Sequence, residues 1–327
     1  MSIQQEPTVT PSRWAFVLAF TSIYLIWGST YLAIRIAVEA WPPFLMAGLR
    51  FLVAGAVLFA WLRLRGAAWP ALVHWRNSAV TGVLLLVGGN GLVTWAEKSV
   101  SSSTAALIVG TVPAWFALFE WMRPSGKRPA ILTVIGITIG FTGVVLLVEN
   151  SARHAQAGSF SYTGIAALFF STVCWAGGSV FSKYSVRPAS PYMASAMQML
   201  VGGVALLGLS GLTGEARGFS FSQLSFPGWA SFSYLVVAGS WIGFSAYAWL
   251  IRHASPAKVS TYAFVNPVVA VLLGTVFLGE KFTPSVLLSV VAVVTGVALI
   301  TLSGSIRWPR LRASASGAAA AVGQKCS

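Results

Sequence analysis

Ten stretches of about 20 predominantly apolar residues, set apart by short connectors, govern what this 327-residue chain can fold into. They lie at 14–38, 43–62, 77–96, 103–122, 130–148, 162–184, 191–212, 227–251, 257–279 and 283–303. At roughly 1.5 Å per residue, each is long enough to cross a hydrocarbon layer of about 30 Å as a helix. Proline, glycine or charge marks most connectors, as in Trp41-Pro42-Pro43, Arg123-Pro124-Ser125-Gly126-Lys127-Arg128 and Arg187-Pro188. Only 9% of the residues are charged, against roughly 25% in a soluble domain. Soluble, disordered and disulfide-built folds are excluded, and Cys174 and Cys326 have no reason to pair. The expected fold class is an all-α polytopic membrane protein with ten transmembrane helices.

The basic residues set the orientation. Fifteen of the 21 Lys and Arg, including Arg63, Arg65, Arg123, Lys183, Arg187 and Arg307, fall on one side of the expected bilayer, and five fall on the other. That asymmetry places both termini in the cytoplasm of a bacterial-type inner membrane. All seven acids are Glu, and five of them (Glu39, Glu97, Glu149, Glu215 and Glu280) sit on the side poor in Lys and Arg. Nucleic acid is not an expected partner, because the positive charge lies between apolar runs.

The chain also repeats itself. At an offset of 148, Trp27 meets Trp175, Arg35 meets Lys183 and Pro43 meets Pro191; at 154, Trp95 meets Trp249, Ser101 meets Ser255 and Pro113 meets Pro267. Thr142-Gly143-Val144 meets Thr295-Gly296-Val297 at 153. The matches are collinear across five spans per half, giving a cytoplasmic segment 1–13, repeats over 14–150 and 151–303, and a basic, then Ala/Ser/Gly-rich tail over 304–327. An odd number of spans per repeat inverts the second half relative to the first. Such symmetry suits a carrier whose two halves exchange conformations around a midplane site.

Several motifs now bear on family. Ile26-Trp27-Gly28-Ser29-Thr30-Tyr31, Pro43 with Arg50-Phe51, Pro113, Asn266-Pro267, Leu278-Gly279-Glu280 and the paired Thr-Gly-Val endings resemble the EamA-type transporters of the drug/metabolite transporter superfamily. The likeness covers residues 14–303. It implies a ten-helix basket, a central cavity lined mainly by helices 1, 3, 4, 6, 8 and 9, and export of amino acids or related metabolites.

Candidate cavity residues follow from polar and aromatic stripes in otherwise apolar spans. The first span carries Tyr24, Trp27, Tyr31 and Arg35 at helical spacing, and the sixth answers with Ser171, Trp175, Ser179 and Ser182. Close helix packing is the alternative use for such a stripe. Trp95, Trp115, Trp241 and Trp249 join Trp27 and Trp175 as tryptophans deep in spans, whereas Trp14, Trp41, Trp61, Trp69, Trp75, Trp121, Trp229 and Trp308 sit at span ends, where indoles settle at headgroups. Asn90 with Thr94, Ser245 with Trp241, and Asn266 with Tyr262 add polar contacts. Pro113 and Pro267 are read as kinks near the middle of the fourth and ninth spans, freeing backbone carbonyls. Arg50 is the one cation well inside a span; it meets a substrate carboxylate or serves as a structural anchor, and the anchor is favoured because the family's second helix is not a cavity wall. Gly136-x-x-x-Gly140 is a small-residue face for packing within the subunit or in a homodimer.

No histidine lies in a span, no metal cluster or phosphate-binding glycine loop is visible, and no cofactor is expected. The chain therefore reads as a carrier and not an enzyme. Without Asp, Glu or His in mid-span, it is expected to act as a facilitator for neutral or aromatic amino acids. A proton-coupled multidrug or metabolite antiporter and a channel or lipid flippase are the alternatives.

Overall fold

The computed structural model describes residues 12–124, 126, 128–154, 161–188, 190–254, 259 and 261–303. The expected N-terminal segment up to residue 11 and the tail from residue 304 lie outside them. Among the described residues, ten long helices form: α1 (Arg13–Ala37), α2 (Pro43–Leu64), α3 (Leu72–Ala96), α4 (Ser102–Met122), α5 (Ile131–His154), α6 (Tyr162–Tyr184), α7 (Pro191–Thr213), α8 (Phe226–Ile251), α9 (Tyr262–Leu278) and α10 (Pro284–Ser303). Nine contain apolar lengths sufficient to cross a membrane, and α9 is shorter.

Local chemistry explains the ends. Ser12, Ser101, Ser161 and Ser190 cap α1, α4, α6 and α7 by accepting the backbone N–H three residues on. Proline opens α2, α7 and α10, where its missing N–H loses nothing. Gly214 and Gly279 stop α7 and α9 with φ of 68° and 65°, the left-handed conformation that a side chain disfavours.

Two helix pairs frame the molecule. α2 lies along α7, and α5 lies along α10, each pair joining equivalent helices of the two halves. The Gly136 face is consumed inside the subunit: a methyl added at Gly136 would meet the Gly296 carbonyl at 2.5 Å, so the two backbones touch. Between these pairs, α1 packs on α8 and α9, and α6 packs on α3 and α4.

Three of the inner helices are irregular. α1 contains a π-helical stretch at Ser22–Ile26, α3 one at Val83–Gly91 and α8 one at Leu235–Ile242. Each widens the turn and changes the direction of every side chain beyond it. α4 is interrupted between Val109 and Val112, with Pro113 opening its second segment, and Pro267 lies in the early turns of α9. A methyl at Gly110 would sit 3.1 Å from the Pro267 ring, so the two interruptions meet.

Candidate functional site

A vestibule of about 810 Å³ lies between α4, α6, α7, α8 and α9. Its walls run from Glu120, Lys183 and Arg187 at the ends of α4 and α6 down to Trp175, Phe244, Tyr247 and Tyr262. Lys183 Nζ stands 2.8 Å from Glu120 at the mouth, with Arg123 at 3.4 Å on the carboxylate's other oxygen.

The floor is an aromatic cluster centred on Trp27. Its ring lies 5.9 Å from Trp175, 5.4 Å from Phe244, 5.1 Å from Tyr247 and 5.4 Å from Tyr262, mostly edge to face, the arrangement favoured by ring quadrupoles. Trp27 Nε1 donates to the Gly239 carbonyl at 3.2 Å, which fixes the indole against α8. Gly243 lets that indole approach: an added methyl would collide with Nε1.

Behind the cluster is a second chamber of about 70 Å³, lined by Trp27, Tyr31, Arg50, Asn90, Trp175 and others. Trp175, Phe244 and Tyr262 face both spaces, so they form a shared partition. Arg50 is 2% exposed. Its Nε donates to Ser240 Oγ at 2.7 Å, and the guanidinium lies over the Phe51 ring at 4.7 Å. Nη1 is buried without a hydrogen-bond partner. Asn266 is buried where α9 meets α1; with its amide nitrogen turned that way, it reaches the carbonyls of Ile23, Tyr24 and Tyr262, each at 3.2 Å. Ile23 and Tyr24 lie in the π stretch of α1, and Tyr262 opens α9 just over one turn before Pro267.

The far end is sealed. Glu280 accepts from the backbone N–H groups of Ser102 and Ser103 at 2.9 and 3.1 Å and from both hydroxyls, capping α4. Glu215 accepts from the Leu45 N–H at 2.8 Å at the start of α2. Arg35 donates to the carbonyls of Glu97 and Lys98 at 2.6 and 3.1 Å, closing the end of α3. Glu97 itself, a connector residue in the sequence reading, is completely buried, and neither carboxylate oxygen has a partner. Burial holds its pKa well above the ordinary carboxylate range; Glu280 raises it further and Arg35 opposes.

The structure brings Trp27, Tyr31, Asn90, Trp175, Tyr262 and Asn266 around the inner chamber and Pro113, Trp175, Ser179 and Tyr262 along the vestibule. It does not bring Trp95, Trp115, Trp241 or Ser245 to either space. Trp115 turns to Phe141 of α5, at 6.1 Å, and Trp241 is 36% exposed on the outer surface of α8. The inward face of α8 is Phe244, Tyr247, Ala248 and Ile251, a stripe at ordinary helical spacing that sequence reasoning passed over. Two further departures concern helices expected outside the cavity: α7 lines the vestibule with Ala194, Ser195 and Gln198, and α2 reaches the chamber through Arg50. Arg50 is tied to Ser240 of α8. Trp41, expected at headgroup level, is 2% exposed in a nest with Phe219, Phe221, Trp229 and Phe232.

Comparison with known proteins bears on this arrangement. The profile of the EamA-like transporter family matches residues 13–149 and again residues 162–302. The chain is 42% identical to the uncharacterized inner membrane transporter YedA of Escherichia coli (strain K12), over 87% of this chain and 90% of that protein. It is 27% identical to the uncharacterized transporter YvbV of Bacillus subtilis (strain 168), over 88% and 92% respectively. A solved structure covers 89% of this chain and 99% of its own with a TM-score of 0.62 at 24% identity, a likeness of fold.

Proposed function

This chain belongs to the EamA-like transporter family, and from that premise we propose that it is an inner-membrane carrier exporting small metabolites, amino acids with neutral or aromatic side chains foremost, by alternating access. One observation carries the reading: among the described residues, a large vestibule runs from the ends of α4 and α6 between the two repeated halves to an aromatic partition, beyond which hydrogen bonds tie the far end together. Exchanging the conformations of the halves would open the sealed end and close the vestibule. With both termini cytoplasmic, as the distribution of Lys and Arg favours, the state described is open to the cytoplasm. The aromatic floor suits an apolar side chain and the polar mouth suits a zwitterion entering from water.

Transport follows the substrate's own gradient in this reading. Among the described residues, Glu120 is the only carboxylate lining the vestibule, it is paired with Lys183 at the mouth, and Glu97 lines neither space. A proton-coupled exchange is the second reading, favoured by the unpartnered burial of Glu97. Purified protein in sealed proteoliposomes, preloaded with unlabelled amino acid and given labelled amino acid outside, should show saturable counterflow. Linear, non-saturating flux would replace the carrier with a channel. Uphill accumulation driven only by a pH gradient, with membrane potential clamped, would replace the facilitator with the antiporter.

A further inference from the structure

A guanidinium enclosed within a membrane bundle needs a counter-charge, and among the described residues Arg50 has none. Its Nε is used by Ser240 and one face is covered by Phe51, but Nη1 is buried without a partner on the wall of the inner chamber. Among the described residues, no carboxylate forms an ion pair with it. Arginine carries its charge at physiological pH and offers five N–H donors in a planar fork. An unpaired buried ion of this kind is strongly unfavourable, and the imbalance is relieved when an anion arrives. A structural anchor alone explains the Ser240 bond but not the buried Nη1 donor left without a partner in a residue that lines the chamber.

The surroundings specify which anion. Among the described residues one cation lines the chamber, so its charge matches a monoanion and not a dianionic phosphate. Asn90 and Tyr31 add neutral polar groups beside it, and Trp27 and Trp175 form the adjoining partition. A methyl on Gly239 would stand 2.9 Å from Nη2, so the bare backbone there is what admits the fork. At about 70 Å³ the chamber holds a handful of waters in this state. An amino acid therefore enters only when the aromatic partition turns aside, which places the head of the molecule behind the rings and its body against them.

We infer that Arg50 is the substrate's anion anchor: it binds the carboxylate of an apolar monocarboxylate, an amino acid included, in the inner chamber, while Trp27 and Trp175 grip the apolar body. The inference rests on the carrier reading for its consequence in transport but not for binding. It makes the carboxylate, and not the amine, the group by which the substrate is recognised.

The test uses the full chain purified in detergent and three probes that share a phenethyl body: 3-phenylpropionate, its isosteric neutral amide and the smaller cation phenethylamine. Binding is read by tryptophan fluorescence and by the shift in thermal unfolding. The carboxylate is expected to bind at least tenfold more tightly than the amide, about 1.4 kcal/mol. Arg50→Gln should bring that ratio to near one while leaving amide binding in place. Should Arg50→Gln fail to fold, Gly239→Ala, which crowds Nη2 without removing charge, should lower the ratio severalfold. Equal binding of carboxylate and amide by the unsubstituted protein overturns the inference, as does a preference that survives Arg50→Gln. Counterflow of the same probes separates the two claims. Saturable counterflow without carboxylate preference leaves the carrier and removes the anchor; Arg50-dependent binding without counterflow leaves the anchor and removes the carrier.

Discussion

Glu280 at the sealed end is inserted among two backbone N–H groups and two serine hydroxyls at the start of α4, whereas Glu120 at the open end lies about one-third exposed between Lys183 and Arg123. Both ends are drawn from one repeated unit, yet they use their acids in opposite ways. In sequence, the position equivalent to Glu280 in the first half is Gly126, and the partners of Ser102 and Ser103 in the second half are Pro256 and Ala257. The symmetry-related contact thus lacks both parts: the acid is missing from the first half and the hydroxyl donors are missing from the second. In the proposed carrier, the pseudo-symmetry would supply the two-state framework and this departure from it the bias toward one state.

That contrast is broken most directly at Glu280. Glu280→Ala removes a charged acceptor from four donors, a loss of about 3 kcal/mol, given roughly 1.5–3 kcal/mol for each hydrogen bond to a charged group and partial compensation by water. Maleimide labelling of a cysteine placed at Asn90, in a chain with Cys174 and Cys326 replaced by Ser, should become roughly 100-fold faster from the sealed side. An unchanged labelling rate would show that Glu280 caps α4 without holding the end shut.

A smaller effect is expected from pH. Glu97 faces Tyr31, Arg35 and Glu280, and its raised pKa in the sealed state means that the neutral acid is the form buried there. The sealed end is therefore most stable below the ordinary carboxylate range and weakens as pH climbs toward the raised value, by at most about 1.4 kcal/mol per unit. The same labelling assay should quicken with rising pH, and Glu97→Gln should flatten the profile at its slow limit. A profile that is flat in the unsubstituted protein would remove Glu97 from the seal.

The smallest effect belongs to the open end. Lys183→Ala breaks an ion pair that water already screens, so it should change stability by less than about 0.5 kcal/mol and lose even that in high salt. A thermal shift as large as that of Glu280→Ala would erase the distinction between the two ends.

Much of the frame was legible because a bilayer permits few solutions. Span length, connector prolines and the 148-residue offset between Trp27 and Trp175 carry the ten helices and their pairing. On α1 and α6 helical counting holds from Trp27 to Tyr31 and from Trp175 to Ser179, and these residues line the two spaces. Counting failed on α8. The π stretch at Leu235–Ile242 shifts the register, so Trp241 turns to the surface and Phe244 and Tyr247 take the inward face. Trp95 and Trp115 show a different limit: an indole within a span meets a neighbouring helix as readily as a cavity. Glu97 escaped for a third reason, since one residue past the end of α3 reads as a connector until Arg35 is seen folding that turn inward.

The Asn266 amide, joined to carbonyls on both α1 and α9, has a mechanical corollary. With the amide turned that way, in the proposed carrier it would rivet the two helices so that they swing as one lever. Trp27 and Tyr262 stand on those helices with their rings 5.4 Å apart, so a cargo that displaced either ring would drag the other with it. Selectivity at the partition would then be a property of the linked rings together.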